Sequence, residues 1–470
     1  MKFERRQIKM ISRILLEDVL AVAMSTGADF AEIYAEKTRN NGIRFLDGKI
    51  DTASDDMVSG VGIRAFIGTR TVYATTTDFS RSGLIRCARA VADALGESKA
   101  SVSINLTERI FPNIHPVKIV PGSTPISTRT DILKEACFAA KERDEKIKQV
   151  MGNLSSVDHT ILIANSEGLY TTDRHVRTRI AVSAVAVSPD GSDNQSGSAS
   201  PGRGMGLEMF DFIDPKSVGI KAADQALVNL RADYCPAGQM TVAIENGFGG
   251  VIFHEACGHS LEATSVGTGT SQMCGKLGQQ IANVKVTAID DGTIPGAWGS
   301  VNIDDEGHPT QKNILIENGI LKSYMIDRLG SRRMGMAMTG NGRRQSFMYE
   351  PTSRMTNTFI ANGTDKNEDI IASIEYGLYA KSMGGGSVNP LTGEFNFGVS
   401  EGYIVRNGKI CEPVRGASLV GTGSQILMDI DMVGQNLETA QGMCGSSSGS
   451  VPTDVGQPLI RVSKITVGGR

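Results

Sequence analysis

Hydrophobic positions in the first half of the chain follow two different periods. Spacings of three and four, typical of helices with one buried face, predict helices at residues 11–24, 80–95, 131–144 and 215–232. In the second of these, the predicted apolar stripe consists of Leu84, Cys87, Ala88, Val91 and Leu95. Alternation, typical of half-buried strands, predicts strands within residues 30–36, 61–77, 157–164 and 170–187. Proline-rich and Ser/Gly/Asp-rich composition predicts loops at residues 112–125 and 188–206.

The second half of the chain is dominated by signals for hairpin turns. Strand-like runs flank three dipeptides that favour tight turns, Asp291-Gly292, Asn318-Gly319 and Asn407-Gly408. Only residues 367–381 and a short segment near residue 254 have a helical pattern. We therefore predict an α+β protein. Its N-terminal α/β domain would span residues 1–235, and a mainly antiparallel β domain built around a short helix would span 236–470.

Composition narrows the classes of protein that this chain can represent. The net charge is -3, and no basic cluster is interleaved with aromatic residues, so no nucleic-acid partner is expected. No apolar run approaches the ~20 residues that span a bilayer, so no membrane segment is expected. Glu17 and Asp18 interrupt the first apolar run, which argues against a secretory signal. The seven cysteines include no C-x-x-C pair, so we expect free thiols and a cytoplasmic location.

The segment from His254 to His259 carries the chemistry of a zinc peptidase. Two imidazoles can bind the metal, and Glu255 can take a proton from zinc-bound water. The spacing is His-Glu-x-x-x-His, one residue longer than the common helical zinc motif. Because each helical residue turns by about 100°, ligands five apart would point about 140° away from each other. Either the helix ends here or it opens into a π-bulge, and Gly258 is the residue that best tolerates such a distortion.

A catalytic zinc site also needs a third protein ligand, which leaves one position for water. Glu262 lies three residues after His259 and is one candidate. The other candidates are the thiols of Cys257, Cys274 and Cys444, the last of which lies in a glycine-rich segment predicted to be a flexible loop. The spacing alone does not decide which of these four residues is the third ligand.

The chain resembles the TldD/PmbA family of metallopeptidases, and in particular its metal-bearing type of subunit. The resemblance extends over nearly the whole chain and rests on residues 253–262, 303–307, 315–321, 340–344, 354–358, 384–386 and 442–445. It implies that one zinc ion is bound by His254, His259 and Cys444, with Glu255 as the catalytic base. It also implies a heterodimer with a PmbA-like subunit that lacks the metal ligands, enclosing a channel for flexible polypeptides. Without that partner, the chain could form a homodimer.

Four further residues are candidates for binding substrate. Gly385 and Gly386 could hydrogen-bond an extended peptide through their backbone, or form only a tight bend. Arg343 could bind a substrate carboxylate or form a structural ion pair. His308 could contact a peptide terminus or lie in a solvated turn. After Cys444, the family usually has Gly-Lys-x-Gly-Gln, whereas this chain has Gly-Ser-Ser-Ser-Gly-Ser, which removes a basic and an amide group from that segment.

Together these features predict a zinc-dependent peptidase that hydrolyses flexible or unfolded polypeptides, with Glu255 as general base. The rival hypothesis is a non-catalytic binding or regulatory subunit whose metal is structural or absent. It predicts a closed site with four protein ligands, for which Glu262 is a candidate, and no position for water.

Overall fold

The computed structural model describes residues 11–96, 101–389 and 392–469. The basic residues before position 11 lie outside this range, and the first helix begins at Arg13, capped by the Ser12 hydroxyl. Helices of the first half are α1 (Arg13–Ala23), α2 (Arg81–Leu95), α3 (Ile126–Lys141) and α4 (Pro215–Leu230). Its strands are β1 (Phe30–Leu46), β2 (Lys49–Ile67), β3 (Arg70–Thr76), β4 (Thr107–Glu108), β5 (Ile147–Asn165), β6 (Leu169–Val187), β7 (Asn194–Ala199), β8 (Gly202–Arg203) and β9 (Asp233–Tyr234).

The strands β1 to β8 form one eight-stranded sheet with the order β3-β2-β1-β5-β6-β4, in which β7 and β8 also pair with β6. Side chains of a strand point alternately to the two faces of its sheet. Ile33 and Leu162 point to a face covered by α1 and α2, whereas the neighbouring Tyr34 and Ile163 pack with Ile303 of the second half. This part of the sheet is therefore buried on both faces, between its own helices and the second half of the chain.

The helices of the second half are α5 (Val251–Ala256), α6 (Ala263–Val266), α7 (Arg328–Met334), α8 (Asn367–Ala372) and α9 (Gly423–Asp429). The first eight strands of this half are β10 (Gly238–Ile244), β11 (Ala288–Asp291), β12 (Lys312–Glu317), β13 (Ile320–Leu321), β14 (Gly342–Arg343), β15 (Thr352–Ser353), β16 (Asn357–Ile360) and β17 (Tyr376–Val388). The remaining strands are β18 (Glu394–Arg406), β19 (Lys409–Arg415), β20 (Ser418–Thr422), β21 (Ile430–Val433), β22 (Glu438–Ser446), β23 (Gly449–Gln457) and β24 (Ile460–Gly468).

Two sheets enclose the largest hydrophobic core of the molecule. One has the order β17-β10-β24-β20-β18 and closes on itself, because β17 also pairs with β18. The other has the order β13-β12-β11-β16-β23-β22. The apolar residues of α5 lie in the core that both sheets supply. The predicted α+β fold, with a sheet-rich second half around a short helix, is confirmed.

Several predictions of local structure were confirmed and others were wrong. The apolar stripe of α2 is buried, and the turns at Asn318 and Asn407 have the positive φ angles that Asn-Gly hairpins need. The third dipeptide, Asp291-Gly292, ends β11 and makes no two-residue hairpin, because the Asp291 carboxylate accepts from the backbone and hydroxyl of Thr293 and starts a long loop. Among the described residues, every helix falls short of the length and apolarity that a bilayer span requires.

In two further segments, strand pairing with distant parts of the chain produced strands where the local sequence predicted a loop or a helix. The predicted loop at 188–206 contains β7 and β8, since its small residues pair with β6 and allow a close approach of α4 at Gly197. The predicted helix at 367–381 ends after six residues, at Ala372, and continues as β17 because this segment pairs with β10 and β18. The helices α7 and α9 were not predicted.

A buried ion-pair network joins the two halves of the chain. The Arg64 guanidinium of β2 lies 3.0 Å from the Glu32 carboxylate of β1 and also contacts Glu306 of the second half. Arg344 donates to the other Glu32 oxygen at 2.7 Å. All four side chains are essentially inaccessible to solvent. Burial of so much charge is tolerated only because each group has partners of the opposite sign.

We expect the substitution Arg64→Met to lower the free energy of unfolding by about 3–5 kcal/mol, because it leaves two buried carboxylates without their shared cation. Chemical denaturation measures this change. Arg406→Met is the matched control, since Arg406 forms an exposed ion pair with Glu412, and its unfolding midpoint should not move. Equal stability of the Arg64→Met variant and the parent would contradict the role given to this network.

Candidate metal centre

The helix α5 carries His254 and Glu255 and is held in place by its apolar residues. Val251, Ile252 and Phe253 are all buried in the core of the second half. The helix ends at Ala256, because Cys257 leaves the helical region with φ -135° and ψ -42°. A short 3₁₀ helix, Gly258–Leu261, follows and carries His259. The sequence predicted two ways in which both histidines could face one metal ion, a helix end or a π-bulge. The structure has the helix end.

Gly258 is required here for a different reason than the one inferred from the sequence. Its φ does not lie in the left-handed region, so the backbone at this position needs no special freedom. A Cβ atom at Gly258 would instead overlap the sulfur of Met355, which is fully buried. The glycine therefore permits a close approach between the end of α5 and the chain at Met355. The distortion itself lies one residue earlier, at Cys257.

Three potential metal-binding atoms converge after the helix ends. The Nε2 atom of His254 lies 3.1 Å from Sγ of Cys444, and Nε2 of His259 lies 3.2 Å from the same sulfur. The three atoms all lie within 4.8 Å of one another. Cys444 lies in β22, the edge strand of its sheet, and not in the flexible loop that its glycine neighbours suggested. Its strand pairing with β23 gives the thiol a fixed direction.

The charges in this cluster favour the thiolate form of Cys444. Burial raises the pKa of the Cys444 thiol, but the adjacent His254 and His259 outweigh this effect and lower it to about 4. Burial lowers the pKa of His259, yet the Glu262 carboxylate and the Cys444 sulfur raise it well above its usual value. The thiolate is the form of cysteine that binds metals, and a metal can replace the proton that the imidazole shares with it. One sulfur and two nitrogen donors are a common zinc set, and metal–donor distances of about 2.0–2.3 Å fit donors at these separations.

A second layer of residues orients the three donor atoms. The Glu262 carboxylate lies 3.2 Å from Nδ1 of His259, and the Thr358 hydroxyl lies 3.4 Å from Nδ1 of His254. These contacts leave both Nε2 atoms directed at Cys444. Arg354 donates to the Cys444 carbonyl, and its Nε lies 3.8 Å from Glu262. From the sequence, Glu262 was predicted only as a possible metal ligand. The roles of Arg354 and Thr358 were not predicted, because the sequence marked these residues only as part of a family motif.

Glu255 lies beside one of the three donor atoms. Its Oε2 atom is 3.7 Å from Nε2 of His259, and its side chain is about one quarter exposed. The carboxylate can therefore reach both the cluster and solvent. Of the other candidate thiols, Cys257 is buried in the core with its pKa raised to about 12, and Cys274 donates to the Val266 carbonyl. Within the described residues, neither thiol joins the His–His–Cys group.

The predicted substrate-binding residues lie in three different places. Gly385 and Gly386 are exposed on β17, opposite β18, and a side chain at Gly386 would overlap Phe397. Arg343 is buried in β14 and lines a cavity of about 390 Å³. His308 lies in a turn, with Nδ1 2.9 Å from the Pro309 carbonyl, and lines another cavity of about 330 Å³.

Comparison with known proteins identifies the family. The sequence profiles of PmbA/TldA metallopeptidase domain 1, central domain and C-terminal domain match residues 31–95, 119–230 and 237–469. A Haemophilus influenzae protein named Metalloprotease TldD homolog is 35% identical over 98% of this chain and 97% of its own length. The chain belongs to the TldD/PmbA family. It is therefore related over its full length to proteins named metalloproteases, which makes a metallopeptidase its general functional class.

Solved structures share the fold of this TldD/PmbA member. A Thermotoga maritima protein described as a candidate modulator of DNA gyrase superposes with a TM-score of 0.79 and 22% identity, covering 97% of this chain and 99% of its own. TldE from Thermococcus kodakarensis superposes with a TM-score of 0.75 and 19% identity, covering 97% and 100%. At these identities, the likeness establishes the common fold alone.

We expect Gly258→Ala to destabilise the protein by about 1–3 kcal/mol and to weaken metal binding, because the new methyl group displaces Met355 or moves His259. Chemical denaturation and metal content measure the two effects. Adding Met355→Ala to the same chain should recover part of the loss by making room. Unchanged stability and metal content in the single variant would show that the close packing at Gly258 is not needed.

Loss of a contact that only orients a metal ligand lowers metal affinity by about 10–100-fold. We expect Cys444→Ser to lower zinc affinity by more than this, because the substitution removes a soft thiolate donor. Competition with a chromogenic chelator measures the affinity. Cys274→Ser is the matched control, because that thiol donates to the Val266 carbonyl and, within the described residues, lies outside the His–His–Cys group. Equal zinc affinity in the two variants would exclude Cys444 from the metal site.

Proposed function

We propose that this protein is a zinc-dependent peptidase that hydrolyses flexible or unfolded polypeptides. The observation that carries the proposal is the convergence of His254, His259 and Cys444, with the Glu255 carboxylate 3.7 Å from one of the donor nitrogens. In a tetrahedral site, three protein donors leave one position for water or substrate. A carboxylate next to such a site is suited to proton transfer.

Zinc, when bound, would lower the pKa of a water molecule and polarise a peptide carbonyl. In the proposed reaction, an oxygen atom of Glu255 accepts the proton of the attacking water and later delivers it to the departing amide nitrogen. The partial exposure of Glu255 supports this role, because the carboxylate has to reach a peptide that enters from solvent. Glu262 and Thr358 hold the two imidazoles by their Nδ1 atoms and thereby keep Nε2 available.

We also propose that the four predicted substrate-binding residues contact the peptide. Gly385 and Gly386 are exposed strand residues, so their backbone groups are accessible to an extended peptide. Arg343 and His308 line separate cavities, which would place them at different parts of a long substrate. We also propose a PmbA-like partner subunit, homodimer formation in its absence, and a cytoplasmic location. The seven free cysteines agree with that location.

The alternative is a binding or regulatory subunit with a structural metal or none. Its structural-metal form requires a fourth protein ligand, for which the sequence offers Glu262. The Glu262 carboxylate faces Nδ1 of His259, on the side of the ring away from the converging Nε2 atom. This arrangement favours the open, catalytic type of site.

We expect Glu255→Gln to retain zinc and to lower kcat for an unfolded polypeptide by at least about 100-fold, because the amide cannot accept a proton. The assay uses the zinc-loaded chain and fluorescently labelled, unfolded casein, with and without a PmbA-like subunit, and zinc is quantified in the same samples. Glu368→Gln, on the exposed first turn of α8, is the matched control.

Full activity of the purified Glu255→Gln variant would overturn the proposed mechanism. No cleavage by the zinc-loaded parent chain under either condition, together with tightly held zinc, would favour the binding or regulatory alternative.

A further inference from the structure

A cavity of about 390 Å³ lies between the first sheet and the second half of the chain. His159, His175 and Arg177 line it from β5 and β6, and Trp298 and Arg343 line it from the second half. None of these five residues belongs to the His–His–Cys cluster. The cavity lies beside the strand that supplies the cysteine of that cluster, because Met443 of β22, which also lines the cavity, directly precedes Cys444.

Two buried arginines line this cavity without a carboxylate partner. Among the described residues, Arg177 donates only to the backbone carbonyls of Trp298 and Ser300, at 2.7 and 3.3 Å. Within the same part of the chain, Arg343 donates only to the Met355 carbonyl, at 2.6 Å. Both residues are more than nine-tenths buried, and in the described part of the chain neither has a carboxylate oxygen within 4.0 Å. Each guanidinium carries five N–H groups, so most of these donors are unused.

The unused nitrogen atoms are not fully enclosed, and both residues line the cavity. Some side-chain nitrogen and oxygen atoms of the described residues are fully enclosed and have no hydrogen-bond partner. The unused nitrogen atoms of Arg177 and Arg343 are not among these enclosed atoms. By contrast, Arg344, which lines the same cavity, is paired with Glu32 and with the Asp305 carbonyl. The two unpaired arginines therefore differ from the structural ion pairs around them.

The acidic groups that line the cavity are engaged elsewhere. The Asp304 carboxylate accepts from the backbone N–H groups of Glu306, His308 and Gly342. Asp305 accepts from the Arg344 backbone at 2.8 Å. Glu36 interacts with His159, at 3.0 Å.

Burial leaves the two cations poorly compensated. It lowers the pKa of Arg177 to about 9, and the nearby positive charge of Arg343 acts in the same direction. Burial also lowers the pKa of Arg343. Asp305, Asp454 and Asp173 offset part of this effect at Arg177, and Asp305, Asp290 and Cys444 do so at Arg343. Within the described residues, none of these carboxylates forms an ion pair with either arginine. An anion in the cavity would relieve both the lost solvation and the mutual repulsion.

The outer part of the cavity is apolar. Val58, Met348 and Met443 line it, and each of these side chains is more than two-fifths exposed. Exposed methionines offer a flexible apolar surface that adapts to different side chains. A ligand that combines a carboxylate with an apolar group matches this division into a cationic interior and an apolar rim.

We propose that this cavity binds a peptide carboxylate between Arg177 and Arg343, with the adjoining apolar side chain against Val58, Met348 and Met443. The carboxylate could be the C-terminus of a peptide or the side chain of an acidic residue. The choice of a peptide as ligand rests on the proposed peptidase function. The position next to β22 makes the cavity a recognition site for substrate or product, separate from the metal ligands themselves.

The single tryptophan of the chain provides a direct test. Trp298 lines the cavity, and its indole N–H donates to the Gly442 carbonyl at 2.9 Å. Titration of the full-length protein with N-acetyl-L-leucine should change its fluorescence saturably. N-acetyl-L-leucinamide, which lacks the charge, should bind at least about tenfold more weakly. N-acetyl-L-aspartic acid α-amide carries only a side-chain carboxylate, and N-acetylglycine carries only an α-carboxylate. Because both lack an apolar side chain, their relative affinities show which kind of carboxylate the site prefers.

Substitutions of Arg177 and Arg343 test whether these two residues bind the carboxylate. Arg177→Met and Arg343→Met should each weaken N-acetyl-L-leucine binding at least about tenfold, whereas the lysine variants should retain more of it. Arg109→Met is the matched control, because Arg109 lines the cavity that contains His308. If a methionine variant does not fold, the comparison of the acid with its amide on the parent protein still decides.

The titration is repeated after removal of metal with a chelator, so that carboxylate binding to zinc is not mistaken for binding in the cavity. Equal affinity for the acid and the amide, no fluorescence change, or loss of binding with the metal would each overturn the proposal. The test does not depend on turnover. An inactive protein that still binds the acid would refute the proposed peptidase function alone.

Discussion

The close packing of Gly258 against Met355 is the constraint on which the candidate metal centre depends. The helix α5 ends just before this contact, and the end of the helix lets His259 approach His254 despite their long spacing. The two imidazole rings lie 5.0 Å apart, nearly perpendicular to each other. A side chain at position 258 would separate the two chain segments, and their separation would displace one of the imidazoles.

The segment that contains Met355 supports all three potential ligands. Arg354 donates to the carbonyl of Cys444, Met355 packs against the residue before His259, and Thr358 contacts His254. The segment is itself anchored, because Asp290 accepts from the backbone and hydroxyl of Thr356. A short piece of chain thus fixes the geometry of donors that come from two distant parts of the sequence. Such support is what a metal site needs in order to hold its ligands in one arrangement.

Buried charge serves two different purposes in this molecule. Around Arg64 and Glu32, each charge has a partner, and the network fastens the first sheet to the second half of the chain. Arg177 and Arg343 are buried nearby with backbone carbonyls as their only hydrogen-bond acceptors in the described protein. Removing a cation from water without an anion is unfavourable, so the two sites cannot be explained by the same structural role. This contrast separates a network that stabilises the fold from a cavity suited to a ligand.

The sequence by itself determined the features that depend on neighbouring residues. The helices of the first half, the positive-φ turns at Asn318 and Asn407, and the pairing of two histidines with a carboxylate could all be predicted, because they follow from local backbone preference and residue chemistry. Tertiary structure decided the rest. The approach of Cys444, 185 residues from His259, depends on the pairing of β22 with β23. The strand at β7 formed against its composition, because β6 supplied the hydrogen bonds that its small polar residues could not supply locally. Long-range contacts of this kind are fixed by packing across the whole fold, and no short stretch of sequence encodes them.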